Sequence, residues 1–156
     1  MSKLGAHGPW HTNGPDRPQR VLPDVATHDS AEVAGRLDRV GMAGVEVAVR
    51  RRDEHGHILL SPARADVFVS LDEPDTKGIH MSRLFLRLHR ALDNEELSPG
   101  LVERMLASFL DSHSSISDSS HLRLEYSHLC KRPALLSDMS AWRNYPVVIE
   151  SSHVHG

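Results

Sequence analysis

The 156-residue chain has one cysteine, Cys130, so no internal disulfide can staple it, and the composition fits a reducing compartment. Aromatics are scarce: three Phe, two Trp and two Tyr leave aliphatic side chains to build the core. No apolar run approaches the roughly 20 residues that a membrane-spanning helix needs, and no apolar signal-peptide core opens the chain. A cytoplasmic protein with no membrane partner is therefore expected. Neither sign of charge dominates, since 18 Lys and Arg stand against 21 Asp and Glu, and the basic residues form no stripe. Nucleic acid is accordingly not an expected partner. The twelve histidines are scattered and read mostly as surface residues, and no internal repeat occurs.

What is present suits one domain with a sizeable core. Residues 1–20 hold Gly5, Gly8, Pro9, Gly14, Pro15 and Pro18 with few aliphatics, which describes a flexible N-terminal arm. Residues 21–156 read as a single module. Leu22 precedes Pro23 and is held extended by it, and residues 29–39 carry no clear pattern. Gly41 and Gly44 punctuate the approach to a first strand, where Val45, Val47 and Val49 alternate with polar neighbours. Arg50, Arg51 and Arg52 follow as a basic run, readable as a solvated strand end or as a phosphate contact. Residues 53–57 form a turn, with Gly56 supplying positive φ. His55 and His57 in that turn could chelate a metal, but two histidines are a weak signal. A second strand is expected over 58–71, with a bend or bulge near Pro62. It should pair with the first as an antiparallel hairpin.

Met81, Leu84, Phe85, Leu88 and Leu92 then place one apolar stripe on a helix over about residues 80–93. Ser98 and Pro99 open a second helix as N-cap and first helical residue, with Val102, Met105, Leu106, Phe109 and Leu110 on its apolar face. The short loop between the helices makes them antiparallel on one sheet face. A serine-rich connection over 112–120 contains His113, which would favour the helix's negative end if protonated. A third strand alternates through Leu122, Leu124 and Tyr126 towards Cys130, whose thiol should be buried and inert. A loop over 131–137 and a fourth strand over 147–150 complete the pattern. The fold class is α+β: a ββααββ antiparallel sheet with two antiparallel helices on one face.

The stretch of most chemical interest is Lys77-Gly78-Ile79-His80-Met81-Ser82-Arg83, at a strand-to-helix junction. A helix start has unpaired N–H groups and the positive end of the dipole. Lys77, His80, Ser82 and Arg83 add charge and donors there, which suits an anion. A solvated, capped helix start fits the same residues.

This motif, with residues 22–25, 39–44, 70–72 and 131–149, resembles the N-terminal half of the type IB GTP cyclohydrolases. The family likeness covers residues 22–150, and its second signature spans Lys131-Arg132-Pro133-Ala134-Leu135-Leu136-Ser137 and Trp142-Arg143-Asn144-Tyr145-Pro146-Val147. The resemblance implies a tunnelling fold (T-fold), assembly into a homo-oligomeric barrel, and ligand sites between subunits. It implies GTP as substrate, converted with water to 7,8-dihydroneopterin triphosphate and formate for folate synthesis. It also implies a divalent metal (zinc, manganese or iron), with Lys77, His80, Ser82 and Arg83 as substrate contacts and His80 as a candidate proton donor or metal-proximal group. The family's catalytic Cys-Pro-Cys motif is absent from these 156 residues, and Cys130 does not take its role. The expectation is therefore one module of a two-module enzyme, inactive alone, with most of the family's metal ligands in the other module and none assigned here. The alternatives are a non-catalytic purine- or pterin-binding or assembly module, and another tunnelling-fold enzyme such as a deazapurine nitrile reductase, against which the 77–83 motif argues.

Overall fold

The computed structural model describes residues 35–155 apart from Glu54 and Lys77. The expected arm over 1–20 and the extended segment over 22–25 lie outside the described residues. The elements run β1 (Leu37–Arg52), β2 (Ile58–Leu71), α1 (Met81–Asn94), α2 (Pro99–Asp111), β3 (Ser119–Pro133) and β4 (Ser140–Val154). The four strands form one antiparallel sheet in the order β1-β2-β3-β4, with the helix pair inserted between its two central strands. The expected ββααββ arrangement is what the chain adopts.

Alternation makes β2 the floor of the core. Ala63, Ala65, Val67, Val69 and Leu71 are buried, while Pro62 and Arg64 on either side of Ala63 are exposed; only at the strand's end is the polar neighbour, Ser70, buried too. The helices lie on that buried face. α1 contributes Leu84, Leu88 and Leu92, and α2 contributes Leu101, Val102, Met105, Leu106, Phe109 and Leu110. Met81 and Phe85, expected on the α1 stripe, are instead 39% and 43% exposed. The buried side chains recur every four residues, a seam too narrow to take in the neighbour one residue round the helix. Ser98 caps α2 as expected, its Oγ accepting from the Leu101 N–H at 3.2 Å.

Several boundaries differ from the sequence expectation. β1 begins at Leu37, and Gly41 and Gly44 lie inside it rather than before it. Its register against β2 slips between Leu37 and Val40 and again between Met42 and Val45. The irregularity therefore belongs to β1, not to β2 near Pro62, where pairing with Ala48 is regular. Gly44 has φ +67 within the second slip, and its N–H donates to Asp66 Oδ1 at 2.7 Å. β3 runs on to Pro133, so the loop shrinks to 134–139. β4 spans Ser140–Val154 because it stays in unbroken register with β3, from Ser140 opposite Pro133 to Val154 opposite Ser119. Ladder hydrogen bonds extend the strand beyond its apolar residues. Cys130 is half-buried, not buried, because its part of β3 reaches past the helices.

Candidate functional site

The start of α1 is built differently from that of α2. His80 occupies the N-cap position, but its side chain makes no capping bond, and no acidic residue lies in the first turn. The His80 carbonyl accepts from the N–H groups of Arg83 at 3.0 Å and Leu84 at 3.4 Å. Ser82 and Arg83 are exposed on the first turn, and Ile79 just before it is buried in the core, which fixes where the turn begins. The structure thus brings His80, Ser82 and Arg83 together at one helix end; Lys77 lies outside the described residues.

One residue given only a minor part in the sequence reasoning completes this corner. His113, expected only as a dipole partner, is 2% exposed, and its ring centroid lies 6.1 Å from that of His80. Its Nδ1 is 3.0 Å from the Phe109 carbonyl and 2.9 Å from Ser112 Oγ, while its Nε2 is buried without a hydrogen-bond partner. Burial pushes its proton affinity below the ordinary histidine range. The charges of His80 and Arg83 push the same way, against the carbonyls of Phe109 and His80. A neutral ring does not serve the helix dipole as a cation, which corrects the expected role. The Arg83 guanidinium takes that place: it donates to the Ser112 carbonyl, at the end of α2, at 3.3 Å.

The serine-rich connection is likewise more than a spacer. Ser70 and Asp72, at the end of β2, receive the Asp118 N–H at 3.0 and 2.8 Å, and Ser70 also receives the Ser119 N–H at 3.0 Å. Ser120 Oγ donates to the Leu106 carbonyl at 2.9 Å. These bonds hold the segment after α2 against the β2 end, beside the α1 start. No composition signal separates such serines from solvated ones; their burial shows only in three dimensions.

At the other end of the strands, Asp53 accepts from the backbone N–H groups of His57 and His55, at 2.8 and 2.9 Å, and from His57 Nδ1 at 3.1 Å. Those bonds, led by the His57 N–H, hold the carboxyl below its usual range. Of the basic run, Arg50 donates to the Asp93 carbonyl at 2.7 Å and Arg52 pairs with Glu96. Those two tie β1 to the last turn of α1 and to the loop that follows it. Among the described residues, no group of three or more His, Cys, Asp and Glu side chains could hold a metal ion. No helix of the described residues is long and apolar enough to cross a membrane.

The class of protein is thus an α+β module whose helix pair covers one face of a four-stranded antiparallel sheet, the other face being uncovered among the described residues. The chain belongs to the type I GTP cyclohydrolase FolE2 family, whose sequence model matches residues 22–155. It is 41% identical over 142 residues to the GTP cyclohydrolase FolE2 of Pseudomonas savastanoi pv. phaseolicola, covering 84% of this chain and 44% of that protein. The GTP cyclohydrolase FolE2 of Hydrogenovibrio crunogenus is 33% identical over 135 residues, covering 86% and 43%. That of Bdellovibrio bacteriovorus is 37% identical over 138 residues, covering 88% and 45%. The chain spans less than half the length of these relatives.

Proposed function

We propose that this chain is the N-terminal module of a type IB GTP cyclohydrolase with the tunnelling fold, acting in the cytoplasm in folate synthesis. Its complete form would convert GTP and water to 7,8-dihydroneopterin triphosphate and formate. In this reading Lys77, Ser82 and Arg83 bind the triphosphate, and His80 stands over the reacting end as a proton donor. The observation that carries it is the start of α1. The helix is left without a side-chain cap or an acidic neighbour, an arrangement that favours an incoming anion. α2, in the same chain, is capped by its own serine.

The module's part is to bind, orient and handle protons. His80 sits beside neutral His113, which adds no competing charge. Arg83, which donates to the Ser112 carbonyl at the end of α2, places a guanidinium beside that helix start, and the planar guanidinium is a group suited to phosphate. The divalent ion that the family resemblance implies finds no fitting donor set among the described residues.

Calorimetry with GTP tests this reading. Arg83→Ala should weaken GTP binding about tenfold, the worth of a charge-assisted hydrogen bond, with the fold retained. Unchanged affinity would reduce Arg83 to its bond with Ser112. The isolated 156-residue polypeptide should release no formate from GTP, because it contains no Cys-Pro-Cys; chelator-sensitive formate release would overturn this.

A second reading, a non-catalytic assembly module, draws on the sheet edges. Among the described residues β1 and β4 are the edge strands of the sheet, and exposed Leu37, Val148 and Val154 lie along them. A homo-oligomer built by strand addition serves both readings. The absence of heat with GTP at high protein concentration would favour assembly alone.

A further inference from the structure

Beyond Ala63 and Tyr126 the sheet comes apart. β2 pairs with β3 only between Ala63–Tyr126 and Val69–Ser120. Residues 58–62 of β2 continue with β1 alone, and residues 127–133 of β3 continue with β4 alone. Pro62, at the point of parting, has no N–H to give to either neighbour. The two hairpin arms diverge, and a cleft of about 420 Å³ opens between them. That volume lies within the range of small-molecule sites.

The lining of the cleft is unbalanced in charge. Arg51 and Arg52 come from one arm, Lys131 and Arg132 from the other, and among the described lining residues the one carboxylate is Asp53. Arg52 is satisfied by Glu96, and Asp53 by the backbone of its own turn. Arg51 donates to an uncharged partner, Ser61 Oγ, at 2.9 Å. Among the described residues no ion pair engages Arg51, Lys131 or Arg132. Such a surplus in a concave site raises the local concentration of anions. Trp142 also lines the cleft, 65% exposed and directly opposite Lys131 in the β3–β4 register. Register partners project on the same side of a ribbon, so an indole face and an ammonium stand side by side.

We propose that this cleft is a binding site for a small phosphorylated ligand carrying a planar ring, the chemistry of a nucleotide. Lys131, Arg132 and Arg51 take the phosphates, and the indole of Trp142 takes the ring. The site is separate from the α1 start. The Arg50 contact to the Asp93 carbonyl shows that the C-terminal end of α1 points this way. The α1 start is therefore about 20 Å further off, the length of the helix itself. The proposal stands whether or not that start binds GTP.

Fluorescence titration of the full 156-residue chain tests it, with ATP as the probe and inorganic tripolyphosphate as its ringless counterpart. ATP should quench tryptophan emission saturably, and Trp142→Phe should abolish the quench although Trp10 remains. Lys131→Ala with Arg132→Ala should weaken ATP about tenfold or more. Tripolyphosphate, followed by calorimetry, should bind the parent and Trp142→Phe alike. Arg83→Ala locates the site: it should leave the quench intact. Binding of ATP undiminished in the double variant, or lost in Arg83→Ala, would overturn the proposal, as would no saturable quench at millimolar ATP. Both basic residues are exposed on an arm outside the core. Should the double variant melt early, the single Arg132→Gln variant gives the same readout.

Discussion

Burial keeps the His113 imidazole neutral, and this makes stability depend on pH in a direction that can be worked out. In the unfolded chain the ring takes a proton near pH 6.5. In the folded chain its affinity is lower, chiefly through burial. Below about pH 6.5 the unfolded state therefore binds more protons, and stability falls as pH falls. His121, shifted the same way by burial and by Arg39, adds to the trend. Urea midpoints should drop between pH 7.5 and 5.5, and the drop should be shallower in His113→Gln. Equal slopes would assign the effect to other groups. Nothing in the local sequence marked His113 as buried. The signal that could have found it is its spacing of four residues from Phe109, which puts the two on one helical face. The residues 80, 82 and 83 were legible as a group, because a helix start gathers whatever its first turn carries.

Among the elements, β1 is the one whose shape depends on two glycines. A Cβ at Gly41 would lie 2.0 Å from the Val67 carbonyl oxygen of the neighbouring strand. That contact is backbone against backbone and cannot be relieved by a rotamer change. Gly41→Ala should lose stability by at least the roughly 1–3 kcal/mol typical of overpacking, read as a lower urea midpoint. Gly44 needs its positive φ for the bulge that Asp66 ties down. In α1, Leu88 is fully buried between helix and sheet, so Leu88→Ala should cost about 2–5 kcal/mol. A loss under 1 kcal/mol would mean that the seam repacks. The helix stripes and the β2 alternation were readable because both follow fixed periods. The bulges of β1 and the length of β4 were not, since register depends on the partner strand rather than on local pattern.

For the whole molecule, the helices protect one sheet face and leave the other to charge. Asp66, Arg123 and Glu150 stand in line across β2, β3 and β4 as register partners. Arg123 contacts Glu125 and Glu150 at 2.9 and 3.1 Å, which raises its proton affinity, Glu125 most of all. This ladder is exposed and salt-screened. The edges carry longer consequences, because among the described residues β1 and β4 end the sheet. If strand addition builds an assembly, light scattering should show a mass that rises with protein concentration. Proline substitution at Val148, on β4, should lower that mass by blocking an edge contact. A mass equal to one chain at all concentrations would refute assembly by this polypeptide.

Periodicity and turn chemistry determined the element order, the α+β class, the cap of α2 and the residues at the start of α1, because those depend on neighbours a few positions away. The family motifs carried the likeness to GTP cyclohydrolases in the same local way. Only the tertiary structure decided that His113 faces His80, that buried serines fasten the segment after α2 to β2, and that the two hairpins part beyond Ala63 to open a cationic cleft. Each of these joins residues far apart in sequence, and such contacts are set by strand register and burial, which no single stretch of chain encodes.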